Sequence, residues 1–289
     1  VSLILVTGVT GQVGSELMKS RQGLGEVKGI GRNEVDLSDP EQIRKVIEQL
    51  RPDVIINPAA YTAVDKAESE AELADSINAQ APRIFAEEAK KNDILLVHFS
   101  TDYVFDGQKN QPYNESDATH PINTYGRSKL AGEQAVQQQN GDYLILRTSW
   151  VYSRHGQNFF NSMKRLMQER EELGIVDDQI GSPTSAGFIA SRTAAIVKKA
   201  IVEKKQNKFE SGIYHLTAGG QTSWYQFALA IKNKLQAEGV ENLAALKPIK
   251  TAEYPTPAKR AAYSVLDCNR IQQRYGIDIP DWQELLNVL

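Results

Sequence analysis

The chain has 289 residues, long for one average domain and short for two, which favours a large domain or a large-plus-small pair. Lys and Arg total 33 against 36 Asp and Glu, so the formal charge of −3 leaves no electrostatic footprint for nonspecific nucleic-acid binding. Hydrophobic residues at 41% and charged residues at 24% exclude disordered bulk, and the single Cys268 excludes an internal disulfide framework and a Cys-only zinc site.

The longest apolar runs, such as residues 94–97, fall far short of the roughly 18 residues that a membrane span needs. No basic-then-apolar leader precedes the first apolar run, so a cytoplasmic protein is expected. In chain order, Leu3-Ile4-Leu5-Val6 reads as a buried strand that stops at Thr7-Gly8, and residues 12–19 as a helix. Residues 29–31 suggest a weak second strand. Asp39-Pro40 opens a helix with a carboxylate cap and proline at the first position, and Ile43, Val46, Ile47 and Leu50 fall at helical spacing. Strands are then expected at 53–57, 94–100 and 143–148, with helices at 81–89 and 125–137 between them. That alternation predicts an α/β fold, a Rossmann-type doubly wound parallel sheet with functional residues at the strands' carboxyl ends.

After Trp150 the alternation becomes irregular: a helix at 159–170, a strand at 212–217, a helix at 223–235 and a proline-bearing loop at 254–262. The division expected is a dinucleotide-binding domain at 1–150 and a smaller α/β substrate-binding domain at 151–289. Its boundary is soft, because residues 186–202 read as a helix that belongs with the first domain.

Thr7-Gly8-Val9-Thr10-Gly11-Gln12-Val13-Gly14 sits between the first strand and the first helix. In a T-G-x-x-G-x-x-G turn, Gly8 permits the tight bend, Gly11 lets backbone approach a pyrophosphate, and Gly14 lets helix and sheet pack closely. Free N–H groups at the helix N-terminus hold phosphate charge. Arg32 suits a ribose 2′-phosphate, which favours NADPH and leaves NADH open; the nearby acid to consider is Asp36.

Tyr125 and Lys129 lie four apart on one helix face. A phenol serves as an acid near neutrality when positive charge stands beside it, and Lys129 supplies that charge. Ser100-Thr101-Asp102 ends the fourth strand, where the Thr101 hydroxyl can meet a carbonyl oxygen as it becomes an alkoxide. His98 and His215 sit in apolar strands and read as structural, and His120 and His155 as loop residues.

The glycine turn, the strand-ending Thr and the Tyr-x-x-x-Lys together resemble the extended short-chain dehydrogenase/reductases. Residues 101–107 (TDYVFDG), Pro112-Tyr113-x-Glu115, residues 125–133 (YGRSKLAGE), 147–152 (RTSWVY), Gly181-x-Pro183-Thr184 and Gly212-x-Tyr214-His215-Leu216 narrow the likeness to one branch. That branch is the dTDP-4-dehydrorhamnose reductases, and the likeness runs from Val6 to about Ile271. It implies NAD(P)H-dependent reduction of the C4 ketone of a dTDP-4-dehydro-6-deoxy-L-hexose in dTDP-rhamnose synthesis.

By the same likeness, Tyr125 donates the proton, Lys129 supports it and holds the nicotinamide ribose, and Thr101 binds the substrate oxygen. Gly8, Thr10, Gly11, Gln12, Val13 and Gly14 line the pyrophosphate. Arg32, Asp36 and Leu37 lie at the adenine end, and Ala59, Ala60, Thr62 and Ser100 beside the middle of the cofactor. Val64, Asp102, Tyr103, Trp150 and Arg260 contact the substrate, a dTDP-sugar. Two departures stand out. Ser185-Ala186-Gly187 lacks the acid found in family members with a magnesium-stabilised dimer, so Glu16 alone is expected to hold no metal, and the choice between monomer and weak homodimer stays open. Arg260-Ala261-Ala262 replaces the family's common Arg-Pro. The alternatives are another nucleotide-sugar ketoreductase, epimerase or dehydratase of the same family, or a non-catalytic NADP-binding regulatory subunit. Against a dehydratase, Asp102 is followed by Tyr103 and not by a second carboxylate.

Overall fold

The computed structural model describes residues 2–20 and 24–289. Leu3–Thr7 (β1) is the buried run seen in the sequence, with Ile4 and Val6 in one core and Leu5 in the other. This two-sided burial is what a parallel strand covered on both faces requires. Gln12–Lys19 (α1), Glu26–Ile30 (β2), Pro40–Leu50 (α2) and Val54–Asn57 (β3) follow. The Asp39 carboxylate caps α2 by accepting from the N–H groups of Glu41 and Gln42. Two short helices, Val64–Ala67 (α3) and Ala71–Asp75 (α4), then lead through a π-helical turn at Ser76–Gln80 into Ala81–Lys91 (α5). Leu95–Thr101 (β4) is buried at every position, and Thr124–Gln138 (α6) and Tyr143–Thr148 (β5) complete the first half.

Beyond Trp150 come Val151–Tyr152 (β6), Phe159–Glu169 (α7), Glu172–Val176 (β7), Ile180–Gly181 (β8) and Thr184–Ser185 (β9). Ala186–Lys205 (α8), Gly212–His215 (β10), Thr222–Ser223 (β11), Trp224–Ala237 (α9) and Ala245–Ile249 (β12) follow, then Asn269–Tyr275 (α10) and Trp282–Asn287 (α11).

Six parallel strands form the central sheet in the order β10-β5-β4-β3-β1-β2. On one face Leu5, Ile55, Leu96 and Ile145 meet Ile43 and Ile47 of α2, Ile84 and Phe85 of α5, and Val136 of α6. On the other, Ile4, Val6, Ile56 and Val97 meet Leu17 of α1 and Ile189, Ile196 and Val197 of α8. A cut at residue 150 therefore follows neither the sheet nor its helix layers. The sixth strand, β10, pairs with β5 from Gly212↔Leu144 to His215↔Arg147, and α8 lies in the layer with α1. The smaller layer is built from α7, α9 and the parallel pair β7–β12, with two-residue strand pairs β8–β11 and β6–β9 beside it. Among the described residues no helix is long and apolar enough to cross a membrane.

Candidate active site

The strand order reverses direction at β1, which has β2 on one side and β3 on the other, so the crevice at their carboxyl ends is the natural ligand position. A buried polar chain closes its floor. The Thr7 hydroxyl donates to Asn57 Oδ1 at 2.6 Å, and Asn57 Nδ2 donates to His98 Nδ1 at 3.2 Å.

Above that floor the glycine turn is sterically required at two positions. Gly8 has φ of +59° and a Cβ there would lie 2.9 Å from Ala59; a Cβ on Gly14 would lie 2.2 Å from the Gly8 carbonyl oxygen. Gly11, the residue preceding α1, is exposed, and no side chain caps the helix. Its N–H groups are thus available to an anion.

A groove of about 530 Å³ runs from this turn along the strand ends. It brings together every residue expected at the cofactor: Gly8, Thr10, Gly11, Gln12, Val13, Gly14, Arg32, Asp36, Leu37, Ala59, Ala60, Thr62, Ser100, Tyr125 and Lys129. The Asp36 carboxylate accepts from the N–H and hydroxyl of Ser38, which hold it below the ordinary carboxylate range. The hydroxyls of Ser100 and Thr148 are buried, have no hydrogen-bond partner, and belong to groove-lining residues. Two orphaned hydroxyls in such a place suit a polar ligand that would satisfy them. Thr148 lies in the 147–152 segment, but nothing in that segment by itself marks its hydroxyl as facing the groove.

Tyr125 is the second residue of α6, whose N-terminus is capped by Asn123 accepting from the Gly126 N–H at 2.8 Å. Its ring meets Tyr103 edge-on, with centroids 5.3 Å apart. Burial pushes the Tyr125 phenol above its ordinary pKa, a hydrogen bond with Thr101 opposing the shift. This differs from the expected lowering by Lys129, whose Nζ donates to the Phe99 carbonyl at 2.7 Å. Burial brings the Lys129 ammonium down to about 8, with Glu133 pulling it back up. The Thr101 hydroxyl donates to Asp102 at 3.0 Å and accepts from the Tyr103 N–H at 3.2 Å. Burial raises the Asp102 carboxyl to about 6, opposed by hydrogen bonds from Ser264 and Thr101.

A second cavity of about 990 Å³ opens beside the groove and is lined by Asp102, Tyr103, Trp150 and Arg260 among others. Thr101 and Val64 line neither cavity: Thr101 is buried, and Val64 packs in the small cluster containing Tyr125 and Tyr103. Trp150 adopts φ of +46°, uncommon for a bulky residue, and its indole stacks on Trp224 with centroids 3.5 Å apart. A Cβ on Gly181 would come within 2.4 Å of that indole, which explains the glycine. Trp224 and Asp65 also line the cavity, and sequence reasoning singled out neither.

The two strand histidines lie outside both cavities and stay neutral. Burial and the nearby Lys129 charge hold His98 well below its ordinary pKa; burial and Arg147 bring His215 to about 3. In the unfolded chain each binds a proton near 6.5. Stability should therefore be full above pH 6.5 and fall as pH drops below it, by up to ~1.4 kcal/mol per pH unit for each histidine. Urea midpoints compared at pH 7.5 and 5 check this. Equal midpoints for the wild type would contradict it.

The family model described as RmlD substrate binding domain matches residues 2–289. A dTDP-4-dehydrorhamnose reductase of Burkholderia thailandensis is 48% identical over 283 residues, spanning 97% of this chain and 95% of the relative. The chain belongs to the dTDP-4-dehydrorhamnose reductase family. The Escherichia coli K12 reductase is 43% identical across 97% of this chain and 94% of its own length. A crystal structure of the Bacillus anthracis reductase in complex with NADP superposes with a TM-score of 0.90 at 34% identity, covering 99% of this chain and 98% of that one. The UDP-glucose 4-epimerase of Thermus thermophilus shares the fold, with a TM-score of 0.77 at 18% identity over 98% and 97% of the two chains.

Proposed function

We propose that this chain reduces the C4 ketone of dTDP-4-dehydro-6-deoxy-L-mannose to dTDP-L-rhamnose with NADPH. One observation carries the reading: Tyr125 and Lys129 line the glycine-turn groove, while Asp102 and Tyr103, next to Thr101, line the adjoining cavity. A ketone entering from one side and a nicotinamide from the other would meet at Tyr125. When bound, the reduced nicotinamide supplies a hydride to the carbonyl carbon.

The protein's own residues do the rest. Gly8, Gly11 and the first turn of α1 would hold the pyrophosphate, and the unpartnered Ser100 and Thr148 hydroxyls would be available to the dinucleotide. The Thr101 hydroxyl, turned from Asp102 to the carbonyl oxygen, would donate a hydrogen bond as negative charge builds there. Tyr125 gives its proton to that oxygen; burial keeps the phenol protonated until then, and the alkoxide, a far stronger base than a phenolate, takes the proton. Lys129 is mostly charged below pH 8 and keeps a cation beside the phenol when it becomes phenolate.

The test supplies purified protein with the dTDP-4-keto-6-deoxy-L-sugar and its epimers, following NADPH consumption and product stereochemistry together. Stoichiometric NADPH oxidation with dTDP-L-rhamnose as product supports the reading. Conversion without net cofactor consumption would replace it with an epimerase.

Cofactor preference rests on Arg32, exposed on the groove wall at the end of β2. Arg32→Ala should weaken NADPH by several-fold more than NADH, since only NADPH presents a 2′-phosphate to the guanidinium. Dissociation constants for both, measured by fluorescence titration, decide it. Equal weakening would sink the 2′-phosphate contact.

A further inference from the structure

The α3 segment, which neither the glycine turn nor the Tyr–Lys pair accounts for, ties the roof of the substrate cavity to the catalytic helix. Both carboxylate oxygens of Asp65 are engaged by one stretch of the loop at 254–264. Oδ2 accepts from Arg260 Nη2 at 2.8 Å, and Oδ1 accepts from the Ala258 N–H at 3.2 Å. Between these two points, the Lys259 carbonyl accepts from Asn123 Nδ2 at 2.8 Å, and the same Asn123 caps α6. Three residues past Asp65, Glu68 accepts from the N–H and hydroxyl of Thr124, the first residue of α6, at 2.8 and 2.9 Å. The strap at 258–260, the short helix and the start of the helix bearing Tyr125 are thus clamped to one another by polar side chains.

The Asp65 side chain is 42% exposed and that of Arg260 19%, so their ion pair adds little to stability. Its geometric effect is larger. A free arginine has rotamer entropy to lose on meeting a ligand. A guanidinium already fixed at the cavity wall has lost much of that beforehand, which is how preorganised groups gain affinity. Asp65 and Arg260 both line the 990 Å³ cavity.

We propose that Asp65 is a positioning residue for substrate recognition: it holds the 258–260 strap and aims the Arg260 guanidinium at the diphosphate of a nucleotide sugar. This rests on the nucleotide-sugar reading above. Asp65 acts through Arg260 and takes no part in the proton or hydride transfer.

The test uses the full chain and dTDP, titrated calorimetrically, so that binding is read without turnover. Asp65→Asn preserves side-chain volume and an acceptor for Ala258 while removing the charge opposite Arg260. It should weaken dTDP about 5–10-fold, and the loss in turnover should fall on KM more than on kcat. Arg260→Gln should weaken dTDP as well, and adding Asp65→Asn to it should cost nothing further. Hydrogen exchange of the 254–264 peptide should be faster in Asp65→Ala than in the wild type, whatever the substrate. Unchanged exchange, unchanged or tighter dTDP binding by Asp65→Asn, or additive losses in the double variant would each overturn the proposal. If the wild type binds dTDP but does not reduce the keto sugar, the functional reading falls and the dTDP titrations still decide the role of Asp65. If it does not bind dTDP at all, both fall.

Discussion

Tyr125→Phe should lower kcat by ~10²-fold or more while leaving NADPH affinity within a few-fold of wild type. The phenyl ring preserves the edge-on packing against Tyr103 and the buried position on α6, so the fold has no reason to change. What disappears is one hydroxyl, the donor aimed at the developing alkoxide, and positioned proton transfer is typically worth ~10²–10⁴ in rate. The pH profile adds an independent check. Burial raises the Tyr125 pKa, so the alkaline limb cannot come from loss of its proton near neutrality. Lys129 sits at about 8 and loses its charge as pH rises through that value, so wild-type turnover should decline there. In Tyr125→Phe the residual rate should be nearly flat across the same range, because the cation no longer has a phenolate to stabilise. Turnover close to wild type in this variant would remove Tyr125 as the acid and with it the mechanism.

Much of this arrangement could be read from the residues, and the parts that could not have physical reasons. The strands β1, β3, β4 and β5 are apolar runs bounded by polar turns, and parallel strands buried on both faces produce that pattern. The 212–217 run was equally legible as a strand, formed at Gly212–His215, but a strand this short carries no signal of where it pairs. Its place beside β5 comes from tertiary contact. In the smaller layer, β6, β8, β9 and β11 are two residues each, and β12 contains Pro248, so periodicity had nothing to act on. The glycine turn and the Tyr–Lys pair were visible because each is local. The Asp65–Arg260 pair joins residues 195 apart, and the Trp150–Trp224 stack depends on a left-handed backbone at Trp150. Spacing along a helix shows that Lys129 is near, but not how deeply the phenol is buried.

Glu133→Ala should destabilise the fold by ~3–5 kcal/mol, the usual cost of breaking a buried ion pair by removing one partner. Glu133 lies one turn past Lys129 on α6, and its carboxylate receives two parallel bonds from Arg147 on β5. Nε to Oε1 is 2.8 Å and Nη2 to Oε2 is 2.6 Å, with both side chains at most 3% exposed. The guanidinium stands 5.1 Å over the Phe105 ring and 3.5 Å from His215 Nε2. Neither neighbour can replace the lost charge, since the ring is uncharged and the imidazole is held neutral. Arg147 would be left as a desolvated cation without an anion, in the strand between β4 and β10. Glu133→Gln keeps the shape and one acceptor, so its cost should be smaller. Replacing both partners by Met should recover much of the loss, because no charge then remains to be buried. Urea unfolding of the single and double variants measures all three. The charge change reaches the active site as well, because Glu133 helps to keep Lys129 protonated. In Glu133→Gln the alkaline limb of the turnover profile should accordingly move to lower pH. If both single variants unfold like the wild type, the pair contributes no more than a surface bridge would, and the link from β5 through α6 to Lys129 has no energetic basis.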